Sequence, residues 1–281
     1  MRTTESAIAQ FNKIIIYTFF IILSFVVLYP ILFCISAAFS PSNQVATMGV
    51  LPFSDGFSTK HFVHLFTETE YFHWFGNTLF VSAWTCVLTV IFASLGAYVF
   101  SRFSFTFKKP FLLSLLILQI FPSFVGMVAI YVIMNRFKMF DSLWGLILVY
   151  VAGNVPYNTW LVKNYMDTIS KNLDEAARID GASHFRTFFT IILPVAKPIL
   201  IFLAITSFTG PWMDFIFPKI VLRSPENQTL AVGLYSFVTD KKNDFTTFAA
   251  GALVVVIPFV IFFLMTQKTL ITSFGGAAVK E

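Results

Sequence analysis

Six apolar runs alternate with polar stretches along this chain. They cover residues 14–38, 77–100, 111–134, 142–162, 198–218 and 245–267. Each is about 20 residues or longer, the length a helix needs to cross a hydrocarbon core of roughly 30 Å. The pattern predicts an all-α integral membrane protein, a bundle of six transmembrane helices. A cleaved signal peptide has an apolar core of only about 7–15 residues. The first run is longer and is read as an uncleaved span. Several runs carry breakers: Pro30 in the first, Pro122 and Gly126 in the third, Pro156 in the fourth and Pro258 in the sixth. At membrane depth, a backbone group freed by such a residue must face protein or a wet cavity.

Between the runs lie three longer polar connections, at 41–75, 163–197 and 219–244. The first holds His61, His64 and His73 and reads as a solvated surface loop. The His61/His64 pair has helical spacing, but no cysteine or further acid completes a metal site. The second is the densest cluster of charge in the chain. In it Asn172 is expected to cap a helix, with Asp174 and Glu175 in the first turn, where the helix dipole favours acids. Glu175 stands at capping-box distance from Asn172 and at i,i+3 from Arg178. Gly181 is placed to end that helix in a left-handed cap, Ser183 to cap a second short helix, and Pro194 to mark the return to the membrane.

Composition agrees with the hydropathy pattern. Only 12% of residues are charged, about half the usual share in a soluble domain of roughly 25%. The net charge of +5 reads as a topology signal, since basic residues are not interleaved with aromatics as nucleic-acid binding would require. Of the 19 Lys and Arg residues, twelve fall on the side of the chain termini. That excess predicts both termini, the Arg102 loop and the 163–197 segment in the cytoplasm of a multi-pass cell-membrane protein. Cys34 and Cys86 both lie in apolar runs, so a disulfide between them is not expected. There is no G-x-x-x-x-G-K-[ST] phosphate loop and no catalytic triad or paired-carboxylate site. Gly275-Gly276 is too short to serve as such a loop.

The second connection carries a spaced pattern: Glu175-Ala176-Ala177, Asp180-Gly181-Ala182, Phe188, Ile191, and Leu193-Pro194. This pattern resembles the EAA loop of ABC importer permeases. Leu118-Gln119-Ile120-Phe121-Pro122, Thr229-Leu230-Ala231-Val232-Gly233 and Phe274-Gly275-Gly276-Ala277-Ala278-Val279-Lys280 resemble stretches of maltose/maltodextrin-type permeases, in particular the shorter of the two permease subunits. The resemblance runs from about Phe75 onward. It implies the six-helix fold of type I ABC importers. Residues 1–72 would be an N-terminal segment with the first span and an external loop, 73–270 the permease domain with its coupling loop at 163–197, and 271–281 a cytoplasmic tail.

The same resemblance implies that Glu175, Ala176, Ala177, Asp180, Gly181, Ala182, Leu193 and Pro194 form the loop that seats in a cleft of a cytoplasmic ATPase. It implies four partners besides the bilayer: a second permease subunit, two ATPase subunits and an extracellular solute-binding protein. The chain would hold no cofactor of its own, with ATP and Mg bound by the ATPase subunits, and it would not be an enzyme. The tail is expected to touch the ATPase subunits, and the 219–244 loop, with Pro225-Glu226-Asn227-Gln228 and Tyr235, to meet the binding protein.

Asp214 is the one acid expected inside a span, where charge is costly and tends to face a bundle interior or water. It is therefore a candidate for the translocation path or a partner contact. Asn154, Asn158 and Trp160 are weaker candidates for sugar contact, since amides in a bundle commonly bond helix to helix. The cargo implied by the resemblance is an oligosaccharide of the maltodextrin type. Importers of galacto-oligosaccharide, raffinose-type sugars or glycerol phosphate stay open. An ATP-independent secondary transporter would need ion-coupling charges in the membrane, and only Asp214 is available.

Overall fold

The computed structural model describes residues 2–120, 123–239 and 244–275, with side chains described there except at 2–9, 11, 45, 123, 124, 266 and 268–275. The described residues form helices and connecting turns, with no strand. In chain order the helices are α1 (Arg2–Ala38), α2 (Lys60–Thr67), α3 (Tyr71–Arg102), α4 (Lys108–Ile117), α5 (Ser123–Arg136), α6 (Leu143–Asp167), α7 (Asn172–Ile179), α8 (His184–Thr187), α9 (Leu193–Val195), α10 (Lys197–Met213), α11 (Ile216–Val221), α12 (Leu230–Thr239) and α13 (Phe245–Gly275).

The helices match the apolar runs unevenly. Asn12–Ala38, Tyr71–Arg102 and Phe245–Met265 are each long and apolar enough to cross a bilayer. Two further pieces, His184–Val195 and Lys197–Met213, reach that length and apolarity only when taken together, and they meet at 81°. The predicted third span is two helices, α4 and α5, with turn geometry at residues 118–120. Pro122 lies outside the described residues. Gly126 sits inside α5. The α6 helix has 25 residues and reaches about 38 Å at 1.5 Å per residue. Ser142 caps it by accepting from the Gly145 amide at 3.3 Å.

The fifth predicted span ends early. The α10 helix stops at Met213, and Asp214 takes an extended conformation before α11 begins. Asp214 therefore stands at a break and not inside a span. Its carboxylate accepts from the backbone amides of Ile216 and Phe217 at 3.0 and 3.4 Å, the role of an N-cap.

Contacts group the chain into two units, Met1–Tyr71 with Leu234–Val256, and Phe72–Gly233 with Ile257–Glu281. In the first, Ala37 and Ala38 at the end of α1 pack on Ala249 and Ala250 of α13, with no side chain large enough to hold the backbones apart. Upstream, the apolar side chains of the first span are exposed all round. His61 corrects the reading of 41–75 as a uniformly solvated loop. It is 3% exposed and bonds the Ser42 carbonyl at 2.8 Å and the Thr247 hydroxyl at 3.0 Å.

In the second unit one core joins Ala93, Ala97 and Tyr98 of α3, Val162 and Met166 of α6, Phe188 and Ile192, and Ile199 and Leu203 of α10. A second core joins Val81 of α3, Met134 of α5, Leu146, Ile147 and Val151 of α6, and Phe217 and Val221 of α11.

Candidate functional site

The charged segment between α6 and α10 folds as a knob of short, closely capped pieces. The Ser170 hydroxyl accepts from the Asn172 amide at 3.3 Å, so Asn172 is the first helical residue and not the cap. The capping box expected of Asn172 and Glu175 is absent, because a hydroxyl two residues upstream takes the N-terminal amide first. Arg178 reaches the His184 ring, 2.7 Å from Nη2 to Nε2, in place of the expected pair with Glu175.

The other end of α7 is as the sequence predicts. Gly181 has φ +79°, a region that favours glycine. The Ala182 amide donates to Ala177 O and the Gly181 amide to Arg178 O, both at 2.9 Å. These two bonds are the Schellman closure of a helix. Ser183 then caps α8, accepting from the Arg186 amide at 3.3 Å. Past α8 the chain widens into a π-helical turn, Phe188–Ile192, closed by the Leu193 amide on Phe188 O. The widening falls just ahead of Pro194, which has no amide hydrogen and crowds the carbonyl of Thr190. At Ala196 the chain bends into α10.

Burial divides the pattern residues into two sets. Ala177 and Phe188 are buried. Phe188 belongs to the core shared with α3, α6 and α10, with Ile191 and Leu193 packed against it. Ala177 and Leu193 are thus the members of the pattern that seat the knob on the bundle. Glu175, Ala176, Asp180, Gly181 and Pro194 are exposed, and Ala182 is half-buried. Two residues that sequence reasoning passed over share the outer surface. Ile179 is 87% and Phe185 70% exposed. A signal was present, since both are large apolar residues standing among charged neighbours in a segment outside the spans.

The knob is also tied down by charge. Arg102, the last residue of α3, has its Nε 2.8 Å from Asp174 Oδ2 of α7, and the side chains are 6% and 13% exposed. Nearby, Asp167 at the end of α6 accepts from Lys163 at 2.6 Å and Ser101 at 2.7 Å. Burial raises the Asp167 pKa, but these bonds and the Lys163 charge outweigh it, and the net shift is downward.

The other predicted site residues lie on α6 and at the break after α10. Asp214 accepts from the Tyr150 hydroxyl at 2.7 Å. Asn158 is buried and donates to the Asn154 carbonyl at 2.8 Å. Trp160 is half-buried. A cavity of about 520 Å³ between α5 and α6 is lined mainly by apolar groups, including Gly126, Ile130, Met134, Gly153 and Pro156. Asn154, Asn158, Trp160 and Asp214 are not among its described lining residues. Most of the tail motif, from Gly276 on, lies outside the described residues.

At the opposite end of α3, the 225–228 turn is held firmly. Asn77 donates to Glu226 O at 2.7 Å and Gln228 O at 3.0 Å, and His73 donates to Glu226 O at 2.6 Å. Asp141 grips the same segment. It accepts from the amides of Arg223 and Ser224 at 2.9 and 3.0 Å and from the Ser224 hydroxyl.

Comparison with known proteins places this geometry among transport proteins. The profile of a family described as "Binding-protein-dependent transport system inner membrane component" matches residues 87–268. The chain is 39% identical over 276 residues to the maltodextrin transport system permease protein MdxG of Bacillus subtilis (strain 168), covering 98% of this chain and 99% of that protein. It is equally 39% identical, over 259 residues, to the galactooligosaccharides transport system permease protein GanQ of the same organism, covering 91% of each. A crystal structure of a bacterial ABC transporter involved in the import of the acidic polysaccharide alginate superposes with a TM-score of 0.79 at 22% identity, covering 92% of this chain and 96% of that one.

Proposed function

Because the chain belongs to the family of binding-protein-dependent transport system inner membrane components, we propose that it forms half of the translocation path of an ABC importer for oligosaccharides. Energy would come from ATP and Mg bound in separate ATPase subunits. The knob formed by α7, α8 and the π-helical turn is the part those subunits grip. The single observation that carries this reading is the wide exposure of both Ile179 and Phe185 on a knob whose ends are capped and whose inner face is fixed in the core. Large apolar side chains on a rigid, protruding element mark a protein contact. Glu175 and Asp180 beside them are placed to steer docking.

The topology that follows puts the knob, the Arg102 loop and both termini in the cytoplasm. The turn at 225–228 then faces outside, where its anchoring by Asn77, His73 and Asp141 makes it a preformed surface for the solute-binding protein. A second permease subunit completes the path. Asp214, Asn154, Asn158 and Trp160 lie in or beside that path on this reading. It is supported by the packing of α6 on α10 and by the polar Tyr150–Asp214 pair that joins α6 to the end of α10.

Maltodextrin is the cargo this reading favours. Galacto-oligosaccharide is the second, since the relatives named for the two sugars are equally similar to the chain. Two measurements test the reading. Purification of the chain from its own membrane is expected to bring an ATPase subunit and a second permease with it, and their absence would overturn the importer assignment. Uptake of labelled maltotriose and of labelled galactobiose by cells with and without the chain separates the two cargoes.

A further inference from the structure

We propose that Arg102 is a positioning residue that carries the motion of the knob into the transmembrane bundle, through one buried contact with Asp174. The proposal rests on the importer reading above and adds the route by which force leaves the docking surface.

The geometry singles Arg102 out. It is the C-terminal residue of α3, and its guanidinium touches three elements at once. Nε lies 2.8 Å from Asp174 on α7. Nη1 donates to Met166 O at 3.1 Å, and Nη2 donates to Ile169 O at 3.1 Å. Those two carbonyls belong to the end of α6 and the turn after it, where the dipole favours a cation. Met166 O also accepts from the Ile169 amide at 3.1 Å, so Arg102 adds a second donor there. Arg102 is thus a C-terminal cap for α6 and the counter-charge for α7 together. Tyr98, one turn back on α3, adds its hydroxyl to the same carboxylate at 3.4 Å.

Stability is a poor reason to bury such a pair. Desolvating two charges costs about as much as their attraction returns, and apolar replacements of the same volume are often as stable. A bidirectional tie is a better reason. Asp174 is pulled when α7 moves. Arg102 cannot follow without moving the end of α3 and loading the end of α6. Along the chain, the route from the knob to α10 passes through the π-helical turn and the 81° bend, where a change of angle can absorb motion. The packing of Phe188 and Ile192 reaches α3, α6 and α10 alike and so favours none of them. The clamp therefore predicts that α3 and α6 take the stroke directly.

The experiment uses the whole importer, purified with its second permease and ATPase subunits and reconstituted in vesicles. Asp174→Asn removes the negative charge and leaves Arg102 capping α6. The expected result is normal assembly with the ATPase, basal ATP hydrolysis within about twofold of wild type, and uptake reduced tenfold or more. Asp174→Glu, which restores the charge, is expected to recover most of the uptake. The thermal midpoint of Asp174→Asn is expected to fall, because Arg102 is left a buried charge without its partner, and that of Asp174→Glu to stay close to wild type. Uptake and ATP hydrolysis are therefore compared well below both midpoints, where a purely structural contact would leave the ratio of uptake to hydrolysis unchanged. Wild-type uptake in Asp174→Asn would overturn the proposal. So would loss of the ATPase subunits from that variant, since it would make Asp174 a docking residue. If the unmodified chain never carries an ATPase with it, the importer reading itself fails, and that outcome is read before any variant is made.

Discussion

The hydroxyl of Tyr150, on α6, donates to the carboxylate of Asp214 across 2.7 Å, while the other oxygen of that carboxylate caps α11. Asp214 is therefore an anchor between elements whatever else it does. Asp214→Ala removes a cap and leaves the hydroxyl of Tyr150 without its acceptor. The expected cost is about 2 kcal/mol, read as a lower unfolding temperature in detergent. Tyr150→Phe takes away one bond and leaves the cap, so about 1 kcal/mol is expected. Equal losses in the two variants would show that the cap contributes nothing.

Ile179 presents the opposite case. Its side chain is almost wholly exposed, so Ile179→Ser should leave folding unchanged to within about 0.5 kcal/mol. As an anchor in a partner's cleft it should matter, with a cost of about 2 kcal/mol, roughly 30-fold in affinity. Titration of the purified ATPase subunit against vesicles carrying each form measures this. Unchanged affinity would remove Ile179 from the docking surface.

Gly181 joins backbone and docking. Its φ of +79° disfavours any residue with a Cβ, yet among the described residues, its chain neighbours aside, nothing stands within 4 Å of where that Cβ would be. The strain of a left-handed non-glycine residue is about 1–2 kcal/mol, and less for Asn. Gly181→Val should leave the protein inserted and assembled as a permease, with sugar uptake lost and ATP hydrolysis no longer stimulated by the loaded binding protein. Gly181→Asn should be milder on both counts. Normal uptake in the valine variant would count against the docking role of this corner.

These cases also show which features a sequence carries on its face. The knob's Gly181 corner and Ser183 cap are local chemistry, written within a few residues, and both were legible. The start of α7 was not read correctly, because Ser170 and Asn172 are both good caps and their rivalry is decided by geometry. Long apolar runs gave away the helices, and their prolines flagged an interruption in the third, but not where each break falls. Hydropathy averages over the turn at 118–120 and over the extended residue Asp214, where single residues decide. The Arg102–Asp174 pair was beyond reach for another reason. Its members lie on different helices, and no spacing rule links them. Nor does a pattern of small residues say which of two neighbouring alanines, Ala176 or Ala177, turns inward.

Gly233 closes one of the stretches shared with the maltodextrin-type pattern, and its environment explains the residue. A Cβ placed there would lie 2.2 Å from the Trp74 ring, far inside van der Waals contact. Gly233→Ala must push the indole aside in a packed setting, and overpacking of that kind costs about 1–3 kcal/mol. A shifted Trp74 should be visible as a change in tryptophan fluorescence. A spectrum and unfolding temperature identical to wild type would mean that the ring has room to move.

Asp141 ties the loop before α6 to the segment after α11, and its protonation should be felt there. Burial raises its pKa, but bonds from the Ser224 side chain and the backbone amides of Ser224 and Arg223 outweigh this and lower it to about 2. A carboxyl whose pKa is depressed on folding stabilises the fold above its unfolded value of 3.8, and that stability is lost as pH falls toward 2. The 222–228 segment should therefore stay protected from hydrogen exchange at pH 5 and above and loosen between about pH 4 and 2. Asp141→Asn should abolish that acid transition while keeping the left-handed backbone at φ +56°, which asparagine tolerates. Asp141→Ala loses both, with an expected cost of about 2–3 kcal/mol. Exchange in 222–228 that is the same at pH 3 in wild type and Asp141→Asn would show that another group governs the loop.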